Sequence, residues 1–328
     1  MNRFCLRVVA LGAVMVLAGW SMATAGPGEG TKKIKVLTTV APITNIVRNV
    51  AGPHVELHGL IPEGADSHTF EPVPSDVKYI AQADLVVLNG LHLETPTMNL
   101  VGANKKKTGE VVQLADLTIS RKDWVFDFSF PADKGDPNPH LWLNVAHTMK
   151  YVEIVRDALV RVDPANKAAY EANATAYLAK LKQLDEAIMV VMKTIPQKNR
   201  KLVTYHDSWA YFCPRYGCVV IGAVQPSDFA QPTPRDMIAL IKQLKAEAVP
   251  AIFGSEVFPS KVLDQIGREG GVKFVDTLRD DDLPGDLDAP NHTYIGMMKE
   301  NVETMARVLG GDAAALKGID PSNVQRAP

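Results

Sequence analysis

The chain has 328 residues, 46% hydrophobic and 22% charged, with a formal net charge of −2. That length suits two ordinary domains, each able to bury its own core. Near-neutral charge gives no electrostatic reason to expect nucleic acid or an anionic membrane surface as partner, and internal apolar runs are too short to span a bilayer.

Residues 1–25 read as a separate segment. Arg3 and Arg7 precede an apolar stretch over 8–18, and Ala23-Thr24-Ala25 offers small residues where a signal peptidase reads. This predicts a cleaved secretory signal followed by a flexible tail over 26–32. Trp20 stands where a lipoprotein signal would carry cysteine, so the expected product is free in the periplasm. Cys5 leaves with the signal, and Cys213 and Cys218 remain in FCPRYGC. An oxidising compartment and close spacing predict a disulfide closing a small loop. The spacing does not fit a thioredoxin-like redox motif.

Residues 33–39 read as a first strand and 42–50 as the helix after it. A second strand over 55–60 ends in Ile61-Pro62-Glu63-Gly64. Residues 71–76 then lead into a helix to about Ala81, and 85–88 and 111–114 are further strands. The second half repeats this plan, with strands over 201–204, 219–223, 251–254 and 272–275 and helices over 208–216 and 237–246. Two P-x-P-x-D segments, at 72–76 and 232–236, occupy matching places. Amphipathic helices over 145–162 and 292–309 also match, which points to internal duplication. Strands alternating with helices predict parallel sheets with covered faces.

Between the halves, 165–195 contains no Gly or Pro. Tyr170, Ala174, Tyr177, Leu181, Leu184, Ile188, Val191 and Ile195 recur at gaps of four and three, drawing one apolar stripe on a helix. At 1.5 Å per residue this is a rod of roughly 45 Å. Its place between two similar halves makes it a spine rather than a coiled-coil arm. The expected fold class is α/β, two similar lobes with mainly parallel four-stranded sheets joined by one long rigid helix. The boundaries are 33–163 for the first lobe, 164–196 for the linker helix and 197–328 for the second. Residues 115–139 form the longest irregular stretch, and the last sixteen or so show no apolar period and are expected to pack loosely.

Eight histidines are present, unevenly placed. His68 follows the second strand in ADSHTFEP, His140 sits in NPHLWLN, and His206 follows the first strand of the second lobe in TYHDSWAYF. Asp281 lies in the acidic run RDDDLPG after that lobe's fourth strand. In an open parallel sheet, ligands bind outside the carboxyl ends of the strands. Two facing lobes bring these four loops towards one point, and three imidazoles with one carboxylate suit Zn²⁺ or Mn²⁺. Asp276, Asp280, Asp282 and Glu256 are alternative acids, and His92 is a spare imidazole. His54, His58, His147 and His292 read as structural or surface residues. Asp207 either orients an imidazole or caps the helix from Ser208. A hydrolase would carry a motif such as G-x-S-x-G or H-E-x-x-H, and the chain has neither. Four protein ligands describe a filled cage rather than an open catalytic site. An exported zinc-dependent hydrolase and an adhesin or structural surface protein are the competing classes.

ADSHTFEPVPSD, ADLVVLNGLHLE, NPHLWLN, HDSWAYF and NHTYIGMMKENVETM together resemble the solute-binding proteins of metal-importing ABC transporters, the zinc and manganese receptors. The likeness runs from about Lys33 to Leu309. It implies lobes clamping a metal between them, with His68, His140, His206 and Asp281 as ligands. It also implies Zn²⁺ or Mn²⁺ as cargo, with His206 tilting towards zinc, no enzymatic turnover, and a permease and ATPase as partners. A monomer is expected. Many zinc receptors of this kind carry a His-rich loop before NPH, whereas 115–139 has no His.

Overall fold

The computed structural model describes residue 1 and residues 32–225, 232–257 and 260–325. The expected signal segment and most of the tail after it lie outside the described residues. The described residues from Lys33 onward form one compact unit.

The first sheet contains β1 (Ile34–Thr38), β2 (Val55–Gly59), β3 (Leu85–Leu88) and β4 (Glu110–Gln113), in the order β2-β1-β3-β4. The second contains β5 (Lys201–Thr204), β6 (Val219–Ala223), β7 (Ala251–Ser255) and β8 (Lys273–Leu278), in the order β6-β5-β7-β8. Every pairing is parallel, and the two orders are the same once renumbered. The duplication read from the sequence is thus a duplication of topology. All four residues of β3, Leu-Val-Val-Leu, are buried, as expected of a strand covered on both faces.

Ten α-helices complete the frame. They are α1 (Ala41–Ala51), α2 (Asp76–Gln82), α3 (Thr95–Asn104), α4 (Leu114–Thr118), α5 (Val145–Val162), α6 (Lys167–Thr194), α7 (Phe212–Tyr216), α8 (Pro234–Ala246), α9 (Ser260–Gly270) and α10 (Tyr294–Leu309), counted among the described residues. The two P-x-P-x-D segments make the same local bond. Asp76 Oδ2 accepts from the Val73 backbone N–H at 2.8 Å, and Asp236 Oδ2 from that of Thr233 at 2.9 Å. Each carboxylate thereby satisfies a donor at a helix start, where negative charge is favoured.

The linker begins as a 3₁₀ turn over Pro164–Asn166 and continues as α6. Its predicted stripe is buried along its length, packed against α1, α5 and α10. Ile195 leaves the helix at φ −65°, ψ 129°, the extended conformation that a following proline imposes. Asp185, near the middle, accepts from the Tyr216 hydroxyl at 2.6 Å and pairs with Arg215. That pair ties the helix to the second lobe beside the Cys213–Cys218 disulfide, whose Cα atoms are 4.5 Å apart.

Three expectations change. The helix expected over 208–216 exists only as α7, and side chains from the first lobe bond to backbone carbonyls before it and at its N-cap. Asn138 Nδ2 donates to the Asp207 carbonyl at 2.6 Å and Asn144 Nδ2 to that of Tyr211 at 3.1 Å. Second, α3, α4 and α9 were not foreseen; α3 and α9 carry internal glycines (Gly102, Gly267), which weaken the helical signal. Third, the C-terminal stretch is held down. Leu316 is buried, Asn323 Oδ1 accepts from Asn49 Nδ2 at 2.8 Å, and Lys180 donates to Asp320 at 2.8 Å. Polar bonds and irregularly spaced apolar residues, Leu316, Ile319 and Val324, share the anchoring, so no apolar period announces it.

Candidate metal centre

His68, His140 and His206 converge. His140 Nε2 lies 3.2 Å from His68 Nε2 and 3.2 Å from His206 Nε2. These side chains form the one group of metal-type donors found among the described residues. His68 stands in the loop after β2, His140 just before α5, and His206 just after β5, so both lobes contribute.

The proton positions follow from the outer partners. His140 Nδ1 faces Asn138 Oδ1 at 2.9 Å, and the same oxygen accepts from the His140 backbone N–H at 3.0 Å. The Asn138 amide cannot be turned round, because its nitrogen donates to Asp127 Oδ2 at 2.8 Å and to the Asp207 carbonyl. His140 Nδ1 therefore carries the proton, and Nε2 presents a lone pair. His206 repeats the arrangement, with Nδ1 3.1 Å from Gln225 Oε1. Two lone pairs facing each other at 3.2 Å repel unless a cation lies between them. Nitrogens about 2.0–2.1 Å from a tetrahedral Zn²⁺ are about 3.3 Å apart, close to what is seen.

Burial, first, and the nearby charge of His206 hold His68 well below the ordinary imidazole range. His140 is lowered likewise by burial and then by both neighbours. Burial takes His206 to about 4. All three rings are neutral at pH 7 and ready to ligate.

Asp281 is buried beside this group but is not part of it as the side chains stand. Its Oδ2 accepts from the Ser67 backbone N–H at 3.2 Å, and its Oδ1 is buried with no hydrogen-bond partner. Its neighbours are committed elsewhere. Asp280 Oδ1 accepts from Ser255 Oγ at 2.8 Å, and Asp282 Oδ2 from the Gly64 N–H at 2.8 Å. Glu256 shapes the loop, its Oε1 accepting from the backbone N–H groups of Asp280, Asp281 and Asp282 at 3.1, 3.1 and 2.8 Å. Asp276 is exposed on β8. Burial and then the Asp280 charge raise Asp281 well above the usual carboxylate range; the same two causes bring Glu256 to about 8.

The irregular stretch over 115–139 supplies much of the surroundings. Phe130 packs over all three rings, with centroids 5.5, 5.9 and 5.6 Å from those of His68, His140 and His206. Asp127 Oδ1 accepts from the backbone of Ser129 and Phe130, and Oδ2 from Asn138, so it braces the support of His140. Burial pushes Asp127 up to about 6; burial and then the Asp127 charge raise Asp207 well above its usual range. Asp207 neither caps a helix nor holds His206, whose Nδ1 goes to Gln225. Sequence reasoning passed over Asn138, Gln225, Asp127 and Phe130. Of these only Asn138, two residues before His140 within NPH, offered a signal.

The remaining histidines are structural or peripheral. His58 stacks on Tyr79 at 3.8 Å, His54 meets Tyr170 edge-on, and His147 meets Tyr211. His292 lies 3.1 Å from Glu63.

Comparison with known proteins agrees with this geometry. Residues 36–308 match the family model described as ZnuA, zinc-uptake complex component A, periplasmic. The manganese-binding lipoprotein MntA of Halalkalibacterium halodurans is 30% identical over 93% of this chain and 98% of its own length. The metal ABC transporter substrate-binding lipoprotein FimA of Streptococcus parasanguinis is 30% identical over 90% of this chain and 96% of its own. Among solved structures, the periplasmic zinc-binding protein TroA of Treponema pallidum superposes with a TM-score of 0.77 at 28% identity, covering 84% of this chain and 99% of its own. These names correct one expectation. Relatives matching nearly the whole chain are lipoproteins, so Trp20 does not establish a free periplasmic protein without a lipid anchor.

Proposed function

Since the chain belongs to the ZnuA family of zinc-uptake components, and is thereby a metal-binding, substrate-binding component of an ABC transporter, we propose that it captures Zn²⁺ and delivers it to a membrane permease driven by an ATPase. Mn²⁺ is the alternative cargo. The observation that carries the reading is the convergence of the Nε2 atoms of three neutral imidazoles on one point. In this reading His68, His140, His206 and the unpartnered oxygen of Asp281 hold the ion, and binding proceeds without turnover. The lobes over 33–163 and 197–328 supply half-sites, and 164–196 keeps them apart at fixed spacing in a monomer. Three nitrogens and one oxygen suit zinc, although zinc outcompetes manganese at most such sites in vitro. Cargo is therefore decided by zinc–manganese competition during metal-limited growth. The binding test is direct: stripped protein reloaded with Zn²⁺ or Mn²⁺ retains one ion per chain after gel filtration. No stoichiometric metal after reloading would refute the proposal.

Metal loading should also release protons. The imidazoles have none to lose at pH 7, because their pKa values are lowered. Asp281, raised by burial and then by Asp280, ligates as the carboxylate, so any proton that the raised pKa keeps on it leaves when the ion binds. The sign for stability follows. A folded pKa above the unfolded one stabilises at low pH, and that contribution is lost as pH rises through the raised value. Bound cation offsets that loss. Calorimetry on the acid side of neutrality, in buffers of different ionisation enthalpy, is expected to show proton release that grows as pH falls and that Asp281→Asn diminishes. Equal release from the variant would remove Asp281 from its assigned role.

A further inference from the structure

The three imidazoles are unequally sheltered. His140 and His206 are buried, whereas His68 is only partly so. His68 also lines a cleft of about 210 Å³ together with Phe130, His92 and Asp136, and neither His140 nor His206 lines it. The cleft therefore reaches the trio from the His68 side. On the cleft wall, His92 Nδ1 lies 3.3 Å from Asp136 Oδ1, with the two side chains 53% and 58% exposed.

The backbone spends strain to place His92 there. Gly90, Leu91 and His92 lie at φ +88°, +49° and +69°, and for residues other than glycine this region costs roughly 1–2 kcal/mol each. The turn is clamped by carboxylates. Glu94 accepts from the Asn89 and Gly90 N–H groups at 2.8 and 3.0 Å, and Asp116 Oδ2 from that of Leu91 at 2.9 Å. A Cβ on Gly90 would meet Asp116 Oδ2 at 2.0 Å, so the close approach requires glycine.

We propose that His92 and Asp136 form a two-donor capture site for a divalent transition-metal cation, at the exposed part of a cleft that leads to His68. The donor set is one imidazole nitrogen and one carboxylate oxygen, a pairing suited to zinc or manganese. A cation about 2.0–2.2 Å from each donor needs them about 3.3 Å apart, as found. Two donors hold an ion briefly, and the ammonium of Lys134 on the same lining works against a long stay. The ion passes on to His68, the most accessible of the three rings. This inference rests on the cage reading of His68, His140 and His206.

Stopped-flow mixing of metal-free protein with Zn²⁺ tests it. The pair His92→Asn and Asp136→Asn removes both donors, and asparagine tolerates the left-handed backbone at 92. Residues absent from the final coordination sphere leave Kd unchanged, so association and dissociation should slow by the same factor, roughly tenfold if capture steers entry. Asp133→Asn makes the same charge change on the adjoining turn, outside the cleft lining, and should leave both rates as they are. Unchanged rates in the double variant, or equal slowing in Asp133→Asn, would overturn the capture site while leaving equilibrium binding intact. No equilibrium binding by the unmodified protein would overturn the cage reading and the capture site together.

Discussion

His140→Ala is expected to lower Zn²⁺ affinity by more than about 100-fold, above the 10–100-fold typical of losing a residue that merely supports a ligand. His140 is the middle nitrogen of the trio, 3.2 Å from each neighbour, so its loss removes the one ligand atom that both other rings approach. His147 provides the control. It lies on α5 only two turns further along, meets Tyr211 edge-on, and touches none of the three rings. His147→Ala should leave affinity unchanged. Competition titration against a chelator measures both, and equal effects would contradict the assignment.

The largest expected stability effect lies at Trp142. Its side chain is fully buried against His140, with centroids 4.9 Å apart. Its indole N–H donates to the Asp280 carbonyl of the other lobe at 2.7 Å. Its own carbonyl accepts from the hydroxyls of Tyr294 at 2.6 Å and Thr148 at 3.0 Å. Trp142→Ala leaves a cavity where both lobes meet and should cost about 3–5 kcal/mol. Melting of the metal-free protein should fall by roughly 10 °C. Trp142→Phe keeps most of the packing but leaves the Asp280 carbonyl without its donor, at a cost of about 1–3 kcal/mol. Equal destabilisation by both variants would mean that the hydrogen bond, not the packing, dominates.

The frame was legible in the sequence wherever apolar period or punctuation carried it. Strands rich in Val, Ile and Leu, the stripe from Tyr170 to Ile195, and the paired P-x-P-x-D segments located both sheets, the spine and the duplication. The three imidazoles were legible because each sits in a loop at a strand's carboxyl end or beside a proline. Their supports were not. Gln225 reaches His206 across nineteen positions of sequence, and Asp127 acts on His140 only through Asn138. Neither relation has a local pattern. Among the three adjacent aspartates, the distinction comes from partners that are remote in sequence: Ser255 for Asp280, Ser67 for Asp281 and Gly64 for Asp282. The strap after α10 was misread for a related reason, since Leu316, Ile319 and Val324 reach the core without a regular period and amide and carboxylate bonds to α1 and α6 complete the anchoring.

The central claim is that both lobes together fill the coordination sphere of one cargo ion. A crystal structure of the Zn²⁺-loaded protein, with the ion located by anomalous scattering, tests it most directly. The expected result is one ion bound by Nε2 of His68, His140 and His206 and by a carboxylate oxygen of Asp281, with no water in the sphere. An ion bound by one lobe alone, or one that keeps a water-bearing open position at these residues, would contradict it.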